Sequence, residues 1–318
     1  MSTANLHQRT PRPFYFAFER PVERLEHAVE ELRLLAHRRG LALDGELVAL
    51  EQRLEECRRR LYAGLDAGQR MELGRHPRRP TALDYARCSL DLFCQAAGDD
   101  WSADGAVFGG TGYVGGIEVA VVGTQCGRRP SERLWRNFGV PGAAGYDAIA
   151  RLARSAAGRG LPVLLLLDAC GAPGPQANDR RRTEALGRCV EALTALPVPL
   201  VAVLCGQAFA GGVLPVGLGD WFLVQECAGC PGGGQMPWAR SAVGHWPHGA
   251  ARDLLAQGAA NGIVAEPMGG AHRDPAAAAE QLRDRLGQGL LLAAEMSPAA
   301  RISRREGRGE GGRVALSL

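Results

Sequence analysis

The residues best placed to do chemistry lie just past the ends of two apolar runs. Leu161 to Leu167 is aliphatic apart from one proline, stops at Asp168 and runs on into Ala169-Cys170-Gly171-Ala172-Pro173-Gly174. Val198 to Cys205 behaves in the same way, stopping at Gly206 and running on into Gln207-Ala208-Phe209-Ala210-Gly211-Gly212. Short continuous apolar runs bounded by glycine and proline read as strands buried on both faces. The stretch after Gly206 reads as a turn entering a helix. Small residues at a helix start leave backbone N–H groups unshielded, and the helix dipole adds positive potential there. Fixed N–H donors aimed at one point are what an oxyanion hole requires. A Gly-Gly pair at a strand–helix junction is more often a packing device, so the pair alone does not decide between the two uses.

Other chemistries find little support. All 37 basic residues are arginine, and the chain has no lysine. That excludes a P-loop, a pyridoxal-phosphate or class I aldolase amine, and a protein-kinase strand lysine. There is no Gly-x-Ser-x-Gly nucleophile elbow. No Gly-x-Gly-x-x-Gly follows the apolar run Ile117 to Gly123, which disfavours a dinucleotide enzyme. The seven histidines form no metal-spaced cluster. Nine cysteines, mostly inside apolar stretches, are expected as reduced core thiols rather than as a disulfide framework. The pair Cys227-Ala228-Gly229-Cys230 lacks a second pair at zinc-ribbon spacing, so no metal is expected.

The elements that must carry these residues follow from pattern. A polar segment, 1–19, precedes a helical hairpin over 20–70, with Val22, Leu25, Val29, Leu32 and Ala36 on one seam and Leu47, Leu50, Leu54, Cys57 and Leu61 on the other. The hairpin offers no obvious catalytic group. From about His76 short apolar runs alternate with helical stretches, Tyr146 to Arg159 and Arg182 to Leu193 among them, as expected of an α/β domain with mainly parallel strands over 71–296. The Arg- and Gly-rich end, 297–318, is expected to be disordered. A net charge of +3 gives no sign of a nucleic-acid partner. No run reaches the ~18–20 apolar residues of a membrane span. The polar start has no signal-peptide core, so the expected location is cytoplasmic.

Six segments in order carry a resemblance. They are Phe18-Glu19-Arg20-Pro21; Arg75-His76-Pro77-Arg78-Arg79-Pro80 with Leu83-Asp84-Tyr85; Arg136-Asn137-Phe138-Gly139; Asp168 with Gly171-Ala172-Pro173-Gly174; Gly211-Gly212 ahead of Gly217-Leu218-Gly219-Asp220; and Glu266-Pro267-Met268-Gly269-Gly270-Ala271-His272-Arg273-Asp274-Pro275. Together they resemble the α subunit of the bacterial acetyl-CoA carboxylase carboxyltransferase, from about Phe18 to about Pro275. The resemblance implies a crotonase-like (ClpP/crotonase) ββα superhelix with an N-terminal helical arm. It implies a partner β subunit that carries the zinc ribbon and most of the acetyl-CoA site, in a heterotetramer. It implies transfer of a carboxyl group from biotin, held on the biotin carboxyl carrier protein, to acetyl-CoA, giving malonyl-CoA for fatty acid synthesis. Carried over by position, Gly211 and Gly212 are the donors to the biotin ureido oxygen, and Gly206, Gly171, Ala172 and Arg128 surround that group.

The sequence departs from the family pattern near this chemistry. The family's GHQKGR reads Gly123-Thr124-Gln125-Cys126-Gly127-Arg128, losing a histidine and a lysine. Its GEGGSGG reads Gly206-Gln207-Ala208-Phe209-Ala210-Gly211-Gly212, losing an acidic residue. A strand-and-helix stretch of the family is replaced by the shorter, glycine-rich Glu226 to Trp238. The alternative to a working subunit is therefore a catalytically eroded relative that binds or regulates a carboxylase complex.

Overall fold

The computed structural model describes residues 14–96, 104–170, 180–208, 218–230 and 249–313, with side chains described as far as Glu306. The chain divides into two compact units, Met1–Leu65 and Asp66–Leu318. In the first, α1 (Arg20–Arg39) and α2 (Asp44–Ala63) pair along a seam of buried Val22, Val29 and Leu54, with Leu25, Leu50, Cys57 and Leu61 packed beside them. Charged side chains border that seam, Arg33 to Glu51 at 2.6 Å and Arg58 to Glu26 at 2.8 Å. The buried carboxylate of Glu19 accepts from the Tyr62 hydroxyl at 2.8 Å, tying the entry of α1 to the end of α2.

The second unit begins with α3 (Ala67–Leu73) and α4 (Ala82–Ser89). Strands β1 (Asp91–Gln95), β2 (Val107–Val114) and β3 (Ile117–Thr124) follow, then α5 (Pro130–Trp135), α6 (Ala143–Arg159), β4 (Val163–Leu167), α7 (Arg180–Thr194) and β5 (Leu200–Leu204). Next come β6 (Trp221–Gln225), the short pair β7 (Gly229–Cys230) and β8 (Gly249–Ala250), α8 (Ala251–Ala256), β9 (Gly262–Val264), α9 (Pro275–Ala294) and α10 (Pro298–Arg313). Seven strands form one sheet in the order β1-β2-β3-β4-β5-β6-β9. The sheet is mixed. β1, β2 and β3 run antiparallel, whereas β3, β4, β5, β6 and β9 are parallel to their neighbours.

Burial on both faces explains the unbroken apolar runs. Val163, Leu165 and Leu167 point to the layer of α6 and α7, and Leu164 and Leu166 to the layer of α4 and α9. β5 repeats the pattern with Leu200, Ala202 and Leu204 on one face and Val201, Val203 and Cys205 on the other. Alternation carries no polarity signal when both faces are dry. No helix among the described residues is long and apolar enough to cross a membrane.

Two expectations need correction. The C-terminal stretch is not disordered over 298–313, where it forms α10. Arginine composition suggested solvation, but the Arg305 guanidinium is fully enclosed. It pairs with both oxygens of Asp220 and donates to the carbonyls of Leu193, Leu196 and Val198. Arg301 donates to Ala293, Pro197 and Ala294 carbonyls at 2.8–3.0 Å. A guanidinium has five donors, and here they close the carbonyl ends of neighbouring elements. Nor are all the cysteines reduced, because Cys126 and Cys170 form a disulfide with Cα atoms 5.6 Å apart. Parallel register is the cause. Gly123 lies opposite Leu166, so residues three and four beyond them leave adjacent strands side by side.

Candidate functional site

The carboxyl ends of β3, β4 and β5 open onto a cavity of about 240 Å³. Its wall comes from four separate stretches of sequence: Gly74 to Thr81, Cys126 to Arg133, Asp168 with Cys170, and Gln207. The crevice beyond the carboxyl ends of parallel strands is where open α/β sheets place ligands. Arg75, Arg79, Arg128 and Arg133 line it against a single carboxylate, Asp168, so the wall carries excess positive charge.

Asp168 follows β4 directly and is held there through the backbone. Its N–H donates to Thr124 Oγ1 at 3.1 Å, and the next residue, Ala169, donates to the Gln207 carbonyl at 2.7 Å. A Cβ on Gly206 would stand 2.5 Å from Asp168 Oδ1, so glycine there lets β5 pass directly behind the carboxylate. Burial pushes the Asp168 carboxyl up to about 6, and Arg79, Arg133 and the Gln207 N–H pull it back only in part.

The loop after β3 is built by its own turn chemistry. The Arg128 N–H donates to Glu132 Oε2 at 3.0 Å, and this bond, with Arg136 at 3.0 Å, holds the Glu132 carboxylate below its ordinary range despite burial. Asn137, Phe138 and Gly139 then take left-handed backbone conformations with φ of 44°, 55° and 81°. Such strain persists where surrounding contacts over-determine it. Here the Phe138 carbonyl accepts from the Cys170 N–H at 3.0 Å, and a Cβ on Gly139 would lie 2.5 Å from the Asp168 carbonyl oxygen.

Behind the cavity floor lies a buried ion pair. Arg79 grips Glu266 through two bonds of 2.6 Å, and also donates to the Cys205 carbonyl and to Gln225 Oε1. Glu266 further accepts from the N–H groups of Cys227 and Ala271, both at 2.9 Å. Burial alone would raise the Glu266 carboxyl, but Arg79 and these donors outweigh it and hold the group low. The ring of His76 lies on that of His272 with centroids 3.6 Å apart. Burial, then His76 and the arginines 273, 79 and 78, push His272 down to about 2 and keep it neutral.

The structure treats the residues singled out from sequence unequally. Arg128 lines the cavity, half exposed and paired with Asp84 at 2.6 Å, and Gly206 packs against Asp168 without lining it. Gly171, Ala172, Gly211 and Gly212 lie outside the described residues. Cys227 and Cys230 are both buried, and among the described residues no cluster of metal-binding side chains occurs. Asp168, Arg79, Glu266, Arg133 and the histidine pair were not assigned roles from sequence. The segments Arg75–Pro80 and Glu266–Pro275 contain most of them, so the signal was present as motif without a function attached.

Comparison with known proteins gives a consistent result. Residues 15–229 and 248–310 match the family described as "Acetyl co-enzyme A carboxylase carboxyltransferase-like". A protein of Rhizorhabdus wittichii named acetyl-coenzyme A carboxylase carboxyl transferase subunit alpha is 37% identical over 308 residues, 92% of this chain and 97% of that one. The protein of that name from Exiguobacterium sibiricum is 33% identical over 299 residues, covering 91% and 96%. Among solved structures, the transcarboxylase 12S core with hydrolysed methylmalonyl-coenzyme A bound superimposes with a TM-score of 0.52 at 18% identity, covering 74% of this chain and 46% of that one. A Pseudomonas malonate decarboxylase hetero-tetramer in complex with coenzyme A gives 0.51 at 16%, covering 72% and 95%. These two show the fold.

Proposed function

The chain belongs to the acetyl-CoA carboxylase carboxyltransferase α-subunit family, and from that premise we propose that it moves a carboxyl group from carboxybiotin to acetyl-CoA together with a β subunit. The observation that supports this most directly is convergence. Family segments from Arg75–Pro80, Cys126–Arg128 and Asp168 meet around one cationic cavity, and the Glu266 segment backs it through its ion pair with Arg79. At about 240 Å³ the cavity is smaller than the roughly 300–1,000 Å³ that holds a whole drug-sized ligand. It suits a small anionic headgroup presented by a carrier, with the acyl-CoA bound on the partner. The residues present therefore fit a carboxylated biotin ring.

Carboxybiotin supplies an activated carboxylate and leaves charge on the ureido oxygen when that carboxylate departs. On this reading the N–H groups of Gly211 and Gly212 donate to that oxygen, aided by Gly171 and Ala172. Arg128 and Arg133 attract and orient the carboxylate. Asp168 limits the positive charge and, packed on Gly206, positions the strand end that leads to the glycine pair. The malonyl-CoA made feeds fatty acid or related acyl chain synthesis.

The test is co-expression with a β subunit and a biotinylated carrier, followed by malonyl-CoA formation from acetyl-CoA. Transfer in the complex, none by the chain alone, and its abolition in Gly211→Val are expected. A complex that assembles with β subunit and carrier yet transfers nothing would replace the catalytic reading with that of a binding or regulatory relative.

A further inference from the structure

We propose that Cys126 and Cys170 form a reversible thiol–disulfide site in the cavity wall, which exchanges with small thiols and disulfides and slows the site when oxidised. The two residues lie just beyond adjacent strands, line the cavity, and have Cα atoms 5.6 Å apart. That separation lies within the roughly 4.4–6.8 Å a disulfide spans.

Four observations separate this bond from a structural staple. Among the described residues seven cysteines are free, so the chain is no disulfide scaffold. The strands need no further tie, since β3 and β4 already pair from Ala120 with Val163 to Gly123 with Leu166. The added restraint falls only on the segments beyond them, Cys126 to Arg128 and Asp168 to Cys170, which are cavity wall. Finally, exchange has both access and charge. Cys126 is enclosed, whereas Cys170 is half-buried and lines the cavity. Arg128 and Arg133 stand in the same wall, with Asp168 as the opposing charge. The thiolate is the form that attacks and leaves in exchange.

The chemistry closes with a small disulfide RSSR as oxidant. The Cys170 thiolate attacks one sulfur of RSSR and releases RS⁻. The Cys126 thiolate then attacks Cys170 Sγ in the mixed disulfide, forming the intrachain bond and expelling a second RS⁻. Two protein thiols lose two electrons, RSSR gains them, and the two protons end on two RSH. A small thiol in excess runs the sequence backwards. Wall segments that admit a carrier-borne group must give way, and a crosslink between them removes that freedom.

Only the activity arm of the test rests on the carboxyl-transfer reading. The full-length chain is equilibrated in glutathione buffers of graded ratio, and Cys126 and Cys170 are quantified by differential alkylation and mass spectrometry. Amide exchange over 125–139 is read in both states, and malonyl-CoA formation is read in the complex with a β subunit. Reversible interconversion is expected, with exchange slower by on the order of tenfold in the oxidised form and carboxyl transfer several-fold lower. The double variant Cys126→Ser with Cys170→Ser should show the amide exchange of the reduced chain in every buffer. A bond that never reduces in the native state, or equal amide exchange in the two states, overturns the proposal. So does measurable transfer that is equal in the oxidised and reduced complexes. If exchange responds but no complex transfers carboxyl groups in either state, the restraint stands and the carboxyl-transfer reading fails.

Discussion

Arg79–Glu266 and Arg305–Asp220 are the same chemistry placed at opposite ends of one sheet. Both are guanidinium–carboxylate pairs with side chains at most 4% exposed. Both join distant sequence and both cap strand ends. The first sits at the carboxyl ends of β5 and β6, bonding the Cys205 carbonyl and Gln225. The second sits at their amino ends, where Asp220 precedes β6 and accepts from the Leu200 N–H at 2.8 Å. Only the first borders the cavity. The lesson is that a buried ion pair does not by itself mark a site. Its position relative to strand direction does, because ligands in parallel sheets meet the carboxyl ends.

Breaking the amino-end pair should have the largest effect on stability. Arg305→Ala strands Asp220 without its counter-charge and frees α10, which should cost about 3–5 kcal/mol in chemical denaturation. Carboxyl transfer per folded molecule should stay near wild type. If transfer falls in proportion with Arg79-side variants, the division between the two ends is wrong. Glu266→Gln keeps the shape but removes the charge at the other end, so a loss of about 2 kcal/mol is expected together with a clear drop in kcat. Gly206→Ala sharpens the contrast further. The added Cβ displaces the Asp168 carboxylate for roughly 1–2 kcal/mol, while kcat falls by as much as ~10²-fold.

The smallest effect is a pH slope. His272 stays neutral far below its ordinary value near 6.5. As pH falls through 6.5 the unfolded chain takes a proton that the folded one refuses, so stability is lost on acidification. Asp168 works in the opposite sense. Its carboxyl is raised from about 3.8 to about 6, so its contribution is present below the lower value and lost as pH rises through the higher. Denaturation midpoints measured from pH 4 to 7 (roughly the interval spanned by the two ordinary values) should therefore change little in the wild type. They should fall more steeply with rising pH in His272→Leu. An unchanged profile in that variant would show that His272 is not held neutral.

Much of the parallel core was legible from residue order. Val163 to Leu167 and Leu200 to Leu204 are apolar without interruption because both faces are covered, and the hairpin seam Val22, Val29 and Leu54 repeats at helical spacing. The antiparallel start of the sheet was less visible, since β1 is exposed for most of its length and β2 is rich in glycine. Helix α10 was misread for a related reason. Arginine looks solvated in any composition, and only a tertiary contact to Asp220 and three carbonyl groups turns it into a core residue.

Sequence by itself determined the family and the α/β order, because these depend on local pattern and on motif order. Tertiary structure alone decided which charges meet. Arg79 and Glu266, His76 and His272, and Cys126 and Cys170 are each distant in the chain and adjacent in space. Register between parallel strands sets the last of these, and the packing of loops at the sheet's carboxyl edge sets the other two. A sequence read one strand at a time does not contain that register, and it follows only once helices on both faces have fixed the sheet.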